Sequence, residues 1–430
     1  MIKSVLTVAA SLLLLAGCAE VPENVRERDS KLEQTEQAQD QIELERGSLD
    51  LIRSRLEEDA SKKYGTITVD HASAGTASEM PVYSIEACGG DYTVKELARY
   101  LYGDRYDLED ESVYEFLPWD YEGSELKKNT DKYTPEIDLL PHGVYCDVWS
   151  CYPAEDSTCS AHVFSDGSCW GSQTGLSKYG NDYDAMWLGS IKEHWYPEYD
   201  DISAVSYKMY DGTEWALEDA VSFTEELWNS ELSKNDPQKY KYKVRRVEVV
   251  ELPSNNNYGY LFMMSYEDEQ GACYDCDSYD DFALMESRAY EGKRFFIGQS
   301  LWQLSLRKDE ITRFDKHFSF CIKEALSNDS RLLTLGAALT ELQNKLAENI
   351  NLAFETAELC YIVTCDKYPD KDYGGTVKYS PSFALKYCTF QLRPYWCFRR
   401  TNGFIDNWSN TENYYVDAVT GEIVHIKLGL

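Results

Sequence analysis

Basic residues are in short supply in this sequence. Lys and Arg number 42 against 75 Asp and Glu, a formal net charge of -33 over 430 residues. Such a chain repels a phosphate backbone, which excludes nucleic acid as a partner. Anionic membrane surfaces repel it for the same reason. Histidine is scarce too. His71, His142, His162, His194, His317 and His425 show neither H-E-x-x-H nor H-x-x-E-H spacing, so those zinc-protease signatures are excluded. No Gly-rich phosphate loop and no G-x-S-x-G elbow occurs. Beyond the first twenty residues no run approaches the 18 consecutive apolar residues of a membrane span. Residues 19 to 63 contain no aromatic side chain and are dense in charge, a composition that cannot pack a core.

What is present begins at the amino terminus. Lys3 precedes an apolar run from Val5 to Ala16, which ends in Leu15-Ala16-Gly17-Cys18. The run is short for a span and closes on small residues, the order of a cleaved export signal. The Leu-Ala-Gly-Cys sequence resembles the lipobox of bacterial lipoproteins. That resemblance implies lipid on the Cys18 thiol, cleavage before it, and the membrane reached only through this anchor. Thirteen cysteines less Cys18 leave an even twelve, which suits disulfides in an exported chain. Reduced thiols remain the alternative in an anaerobic setting.

The composition divides the chain into a signal peptide over 1–17, a charged stalk over 18–63, and globular sequence from Tyr64. Within the stalk Ile42, Leu49, Ile52 and Leu56 are spaced for a helix that self-associates weakly. Residues 64–205 read as a Cys/Tyr-rich α+β domain whose pattern dissolves into loops from about 103 to 200. There Cys146, Cys151, Cys159 and Cys169 are available as staples, as are Cys273 and Cys276 further on. Residues 206–330 and 331–430 read as two copies of one unit, a helix followed by antiparallel strands. Leu217, Ala220, Val221, Thr224, Leu227 and Trp228 line the first helix, with Asp211 or Thr213 as its cap. Leu335, Ala338, Leu339, Leu342 and Leu346 line the second, with Thr334 as its cap. The fold class expected is therefore α+β, with antiparallel sheets each packed by a helix, behind a helical or disordered stalk and a Cys-rich, loop-rich region.

The segment "YYVDAVTGEIV", Tyr414 to Val424, resembles the terminal hairpin of PepSY-type domains, and "LRPYWCF" is similar to the strand preceding it. Thr420-Gly421 supplies the turn, with Gly421 free to take a positive φ. The first copy lacks this motif. "MPVYSIEA…TVKELARYLYGD" looks like uncharacterised surface lipoproteins of gut Firmicutes. The PepSY resemblance implies binding or restraint of other proteins at the cell surface, including peptidases, and carries no catalytic residue across.

Four groups of residues are of types that carry chemistry. Gly167-Ser168-Cys169-Trp170 is similar to the papain-type nucleophile motif, but the Gln and second Cys expected upstream are Val163 and Asp166. His317 has the downstream spacing of a partner base, within a strand pattern. Acidic Asp166 opposes a thiolate at Cys169, which reads as a staple rather than a nucleophile. Cys159-x-x-His162 with Cys146, Cys151 and Cys169 offers tetrahedral zinc ligands at a spacing that disulfides explain equally well. Asp275, Asp277, Asp280 and Asp281, interleaved with Cys273-x-x-Cys276, are calcium candidates without the EF-hand order. "DKYPDKDYGG" is a similar acidic loop. No cofactor is expected. The expected function is a non-catalytic lipoprotein module that binds or regulates an envelope protein. A glycan- or solute-binding lipoprotein using Tyr and Trp is the alternative, and an exported thiol hydrolase centred on Cys169 the third.

Overall fold

The computed structural model describes, with side chains, residues 44–86, 191–233, 236, 239–252, 256–274, 301–316, 320–327, 331–346, 351–364, 390–400 and 413–424. It describes backbone alone for the remaining strand residues given below. Arg46–Leu430 forms one compact unit.

The chain opens with β1 (Arg46–Gly47), α1 (Leu49–Ser61), β2 (Ile67–Ser73) and β3 (Tyr83–Ala87). Six strands follow: β4 (Asp110–Glu115), β5 (Lys127–Lys128), β6 (Asp147–Tyr152), β7 (Cys159–Phe164), β8 (Cys169–Gln173) and β9 (Ser190–Trp195). The hairpin of β10 (Ser206–Lys208) and β11 (Glu214–Ala216) leads into α2 (Leu217–Leu227), which ends in a π-helical turn, Trp228–Leu232. Then come β12 (Lys241–Leu252), β13 (Asn257–Glu267), β14 (Cys273–Tyr274), β15 (Phe295–Ile297), β16 (Leu301–Ser305), β17 (Arg313–Lys316) and β18 (Phe320–Ala325). The last section holds β19 (Leu332–Leu333), α3 (Leu335–Lys345), β20 (Leu352–Lys367), β21 (Thr389–Ile405), β22 (Trp408–Asp417) and β23 (Ile423–Leu428).

Pairing gives two long ladders. In the first, neighbours run β9-β12-β13-β16-β17-β8-β7-β6-β4-β5, antiparallel throughout. In the second, β2 lies parallel to β20, and β20, β21, β22 and β23 follow as an antiparallel meander. The two-residue strand β14 joins them, antiparallel to β13 and parallel to β20. The α+β expectation holds, with sheet dominant. Each of α2 and α3 is followed by a four-stranded antiparallel meander: β12-β13-β16-β17 after α2 and β20–β23 after α3.

Helix α2 buries Leu217, Ala220, Val221 and Thr224 on one face, with Trp228 continuing it. Trp228 Nε1 donates to Gln303 Oε1 at 2.8 Å, and Gln303 Nε2 donates to Thr224 Oγ1 and Ser305 Oγ, so the helix is hydrogen-bonded to the sheet beneath it. Its cap differs from expectation. Ala216 is the N-cap and makes no side-chain bond. Asp211 instead accepts from Thr213 N and Oγ1, closing the β10–β11 hairpin. Glu218 and Asp219 in the first turn complement the helix dipole instead. Helix α3 begins as expected, its Ala337 N donating to Thr334 Oγ1 at 3.2 Å.

Two sequence expectations change. Residues 49–61, inside the span assigned to a stalk, form α1, whose Leu49 and Ile52 are buried against the body. α1 packs against α3 and β2, and its buried Asp59 accepts from Gly336 N at 3.2 Å, adding a carboxylate to the α3 amino terminus. Two of the four residues of the expected self-associating seam, Leu49 and Ile52, are thus spent within the chain, and Ile42 lies outside the described residues. From 103 to 200, where the pattern predicts loops, the structure places β4, β6, β7 and β8 as neighbouring strands of the first ladder, with β9 at its other end against β12. Stretches such as "CSAHVF" and "CWGSQ" carry β-forming residues without clean apolar alternation, so pairing to neighbours decides them.

Candidate functional site at the junction of the two ladders

Around β14, two kinds of side chain meet. On one side is an aromatic cluster. Tyr274 stacks on Tyr266 with ring centroids 4.6 Å apart and lies 5.3 Å from Tyr361 and 5.8 Å from Phe320. Its hydroxyl donates to Asp268 Oδ2 at 3.1 Å, and Tyr361 donates to Pro81 O at 2.9 Å. Buried phenols need such partners, and burial pushes both well above the usual phenol range. Asp268 Oδ1 accepts from Gln270 N and Ala272 N, shaping the turn into β14. Gly271 there has φ +82, and a Cβ on it would lie 1.9 Å from Thr76 Oγ1.

On the other side is a charged network. In β12 the pairing with β13 shifts between Val244 and Arg246, so Arg245 is the extra residue of a bulge. A bulge re-aims its side chain, and Arg245 Nε lies 3.2 Å from Glu358 Oε2 on β20. Arg399 Nη1 on β21 donates to the same oxygen at 2.6 Å. Next along β12, Arg246 is ion-paired with Glu248 at 3.1 Å, both buried. After β9 the chain turns tightly, with Tyr199 N and Asp200 N donating to Tyr196 O and Asp200 Oδ2 accepting from Tyr196 N. That turn aims three side chains at the second ladder. Tyr196 donates to Glu355 Oε2 at 2.6 Å, while His194 Nε2 lies 3.6 Å from the other oxygen. The Tyr199 ring stacks on His71 of β2 at 4.5 Å, 3° from parallel. Glu198 sits near Glu358, and burial first, then that negative charge, raise its carboxyl pKa. Burial also pushes the Tyr196 and Tyr199 phenols up.

Three thiols lie at the same place. Cys360 and Cys397 are buried with Sγ atoms 3.0 Å apart, and Cys273 packs against their cluster. The Cys273 Sγ is 3.7 Å from Glu267 Oε1, which also pairs with Lys243 Nζ at 2.5 Å. Burial, then Glu267, push the Cys273 thiol above its usual range, so it is a poor nucleophile. Chemically, the junction is a clasp. Glu358 ties the bulge of β12 to β21, Glu355 ties β9 to β20, and Glu198 is a carboxyl that takes up a proton more readily than one in water.

Of the sequence-derived residues, Cys273 lies at this junction, and the others that the structure describes lie in the first ladder. Cys169 pairs with Val163 and Lys316 in the ladder, and Cys151 with Ala161, while His162 pairs with Ser150 and Trp170 in the row between. Cys159 pairs with Gln173 at the far end of β7. Cys18, Cys146, Cys276, Asp275, Asp277, Asp280, Asp281 and His317 lie outside the described residues. Cys273, expected among the disulfide-capable cysteines, is a free thiol facing a carboxylate. Cys321, which the spacing did not single out, is disulfide-bonded. Among the described residues no group of three or more His, Cys, Asp or Glu side chains is placed to hold a metal.

The Asp417 turn is organised by its own side chain. Asp417 Oδ1 accepts from Val419 N at 2.8 Å and Thr420 N at 3.0 Å, and Oδ2 accepts from Arg393 Nε and Nη2 at 3.1 and 2.9 Å. Gly421 adopts φ +81, as the turn reading requires.

Comparison with known proteins adds one likeness. No family model and no curated protein matches this chain. Among solved structures, the crystal structure of an uncharacterized protein from Eubacterium rectale ATCC 33656 is similar at a TM-score of 0.48 and 12% identity, covering 87% of this chain and 98% of that one.

Proposed function

We propose that this chain is a lipoprotein displayed outside the cytoplasmic membrane of a Gram-positive bacterium, anchored through Cys18, and that its body binds or regulates an envelope protein without catalysis. The observation that carries the reading is the amino-terminal order of Lys3, apolar run and Leu15-Ala16-Gly17-Cys18. The recurrence of a helix followed by a four-stranded meander supports describing 206–330 and 331–430 as PepSY-like units. In the second, the Asp417 turn is built by local hydrogen bonds. In the first, the corresponding turn is closed by Thr312 Oγ1 accepting from Leu306 N at 3.0 Å, a different chemistry at the same place. In-cell cross-linking of the anchored chain tests this reading. A defined envelope protein should dominate the adducts, and recovery of glycans alone contradicts it.

A second reading, binding of a glycan, is favoured by one group. Tyr207 and Tyr258 meet edge to face at 5.2 Å, both half-buried, and Lys192 Nζ donates to Tyr258 Oη at 2.8 Å. Rings beside a polar donor suit a sugar. A polysaccharide array that stays blank with and without Ca²⁺ disposes of it.

A further inference from the structure

Cys360 and Cys397 occupy β20 and β21, the two longest strands described. The register pairs Cys360 with Tyr395 and Glu358 with Cys397, so the two cysteines are diagonal neighbours across the ladder. In a flat antiparallel pair such diagonals stand roughly 7–8 Å apart at Cα, beyond the about 4.4–6.8 Å that a disulfide spans. Here the side chains have nevertheless converged. Their sulfurs are 3.0 Å apart, and each also lies 3.8 Å from a carbonyl of its own strand, Glu358 O for Cys360 and Tyr395 O for Cys397. A disulfide's sulfurs are about 2.0 Å apart, so closing the remaining gap takes about 1 Å of movement shared between two χ1 angles and two backbones.

We propose that Cys360 and Cys397 are a disulfide-forming pair that staples β20 to β21, and that Cys273 stands outside it. The bond forms as the two thiols give up two protons and two electrons. The electrons pass through a mixed disulfide to a disulfide donor, either a small-molecule disulfide or a dithiol–disulfide oxidoreductase, whose own S–S bond breaks to two thiols. Burial sets the timing. Cys360 and Cys397 are 2% and 0% exposed, so a donor reaches them before the ladder closes or when it transiently opens. Cys273 packs against the same cluster but presents its sulfur to Glu267, at 3.7 Å, and its protonated thiol does not compete. The pairing follows from the sulfur positions and does not depend on the anchor at Cys18. Cys321 is already disulfide-bonded in the same fold.

The test uses the full chain, unfolded in guanidinium and refolded in a mixture of reduced and oxidised glutathione. Free thiols are then alkylated, and the protein is digested without reduction for peptide mass analysis. The expected result is one cross-linked species joining the peptides of Cys360 and Cys397 and accounting for most of both, with Cys273 alkylated. Alkylation of both buried cysteines, or a bond from either to Cys273 or any other cysteine, overturns the proposal. A Cys273→Ser chain refolded in parallel should give the Cys360–Cys397 species in undiminished yield, and its loss there also overturns the assignment.

Discussion

Replacing Asp417 by Ala removes a carboxylate with no solvent exposure, together with the hydrogen bonds it accepts from Arg393 Nε and Nη2 and from Val419 N and Thr420 N. Arg393, itself 6% exposed, then loses its ion pair with Asp417 inside the protein. Breaking a buried ion pair from one side costs about 3–5 kcal/mol, chiefly because the remaining charge is stranded. The turn amides of Val419 and Thr420 can regain water at the surface, so their loss adds little. At about 2.1 cal/mol/K of unfolding entropy per residue, a unit of this size shifts in Tm by roughly 1.2 °C per kcal/mol, hence about 4–6 °C. Urea titration followed by tryptophan fluorescence measures the free energy directly. Asp417→Asn keeps an oxygen for the turn but not the charge, and should fall between Ala and the parent. The double replacement Arg393→Met with Asp417→Ala should cost less than Asp417→Ala alone, because no charge is left stranded. A loss under about 1 kcal/mol for Asp417→Ala, or a double variant worse than the single, refutes the reasoning.

Four further outcomes follow from the same geometry. Thr334→Ala removes the α3 cap and should cost about 1 kcal/mol in urea titration, with Thr334→Ser restoring most of it. Gly336→Ala places a Cβ 2.6 Å from Tyr64 Oη and should cost about 1–3 kcal/mol, part of which Tyr64→Phe returns if the clash is the cause. The raised Glu198 pKa means the folded state holds that proton more tightly than the unfolded chain, where a Glu titrates near about 4.3. Its contribution to stability is therefore full below that value and lost as pH rises through the folded pKa. Thermal scans from acidic to neutral pH should show a shallower decline for Glu198→Gln, and superimposable slopes would contradict the assignment. Glu58→Ala, which removes a surface pair with Lys62 at 2.7 Å, should leave the urea midpoint essentially unmoved, and a large loss would mean that this contact is more than a solvated pair.

What could be read in advance was local. The faces of α2 and α3, the Thr334 cap and the Asp417 turn are set by residues within a few positions of one another, so periodicity and turn chemistry reveal them. The α2 cap was misplaced because Asp211 had two local uses, and the hairpin took it. The strands between 103 and 200 were hidden because partners far along the chain, not apolar alternation, hold them. The charged clasp was illegible for the same reason. His71, Tyr196, Arg245, Glu358 and Arg399 converge through pairing across more than 300 residues. Two signals did exist. Arg245-Arg246 interrupts the alternation of β12, which marks a bulge, and Glu358 sits inside the apolar run of β20, where a carboxylate needs a partner.

The functional account rests on the anchor, and the mass of the mature amino-terminal peptide from cells tests it most directly. The account predicts a peptide that begins at Cys18 and carries a diacylglyceryl thioether, lost in Cys18→Ala. A peptide beginning at Met1, or one in which Cys18 is present and unmodified, contradicts it.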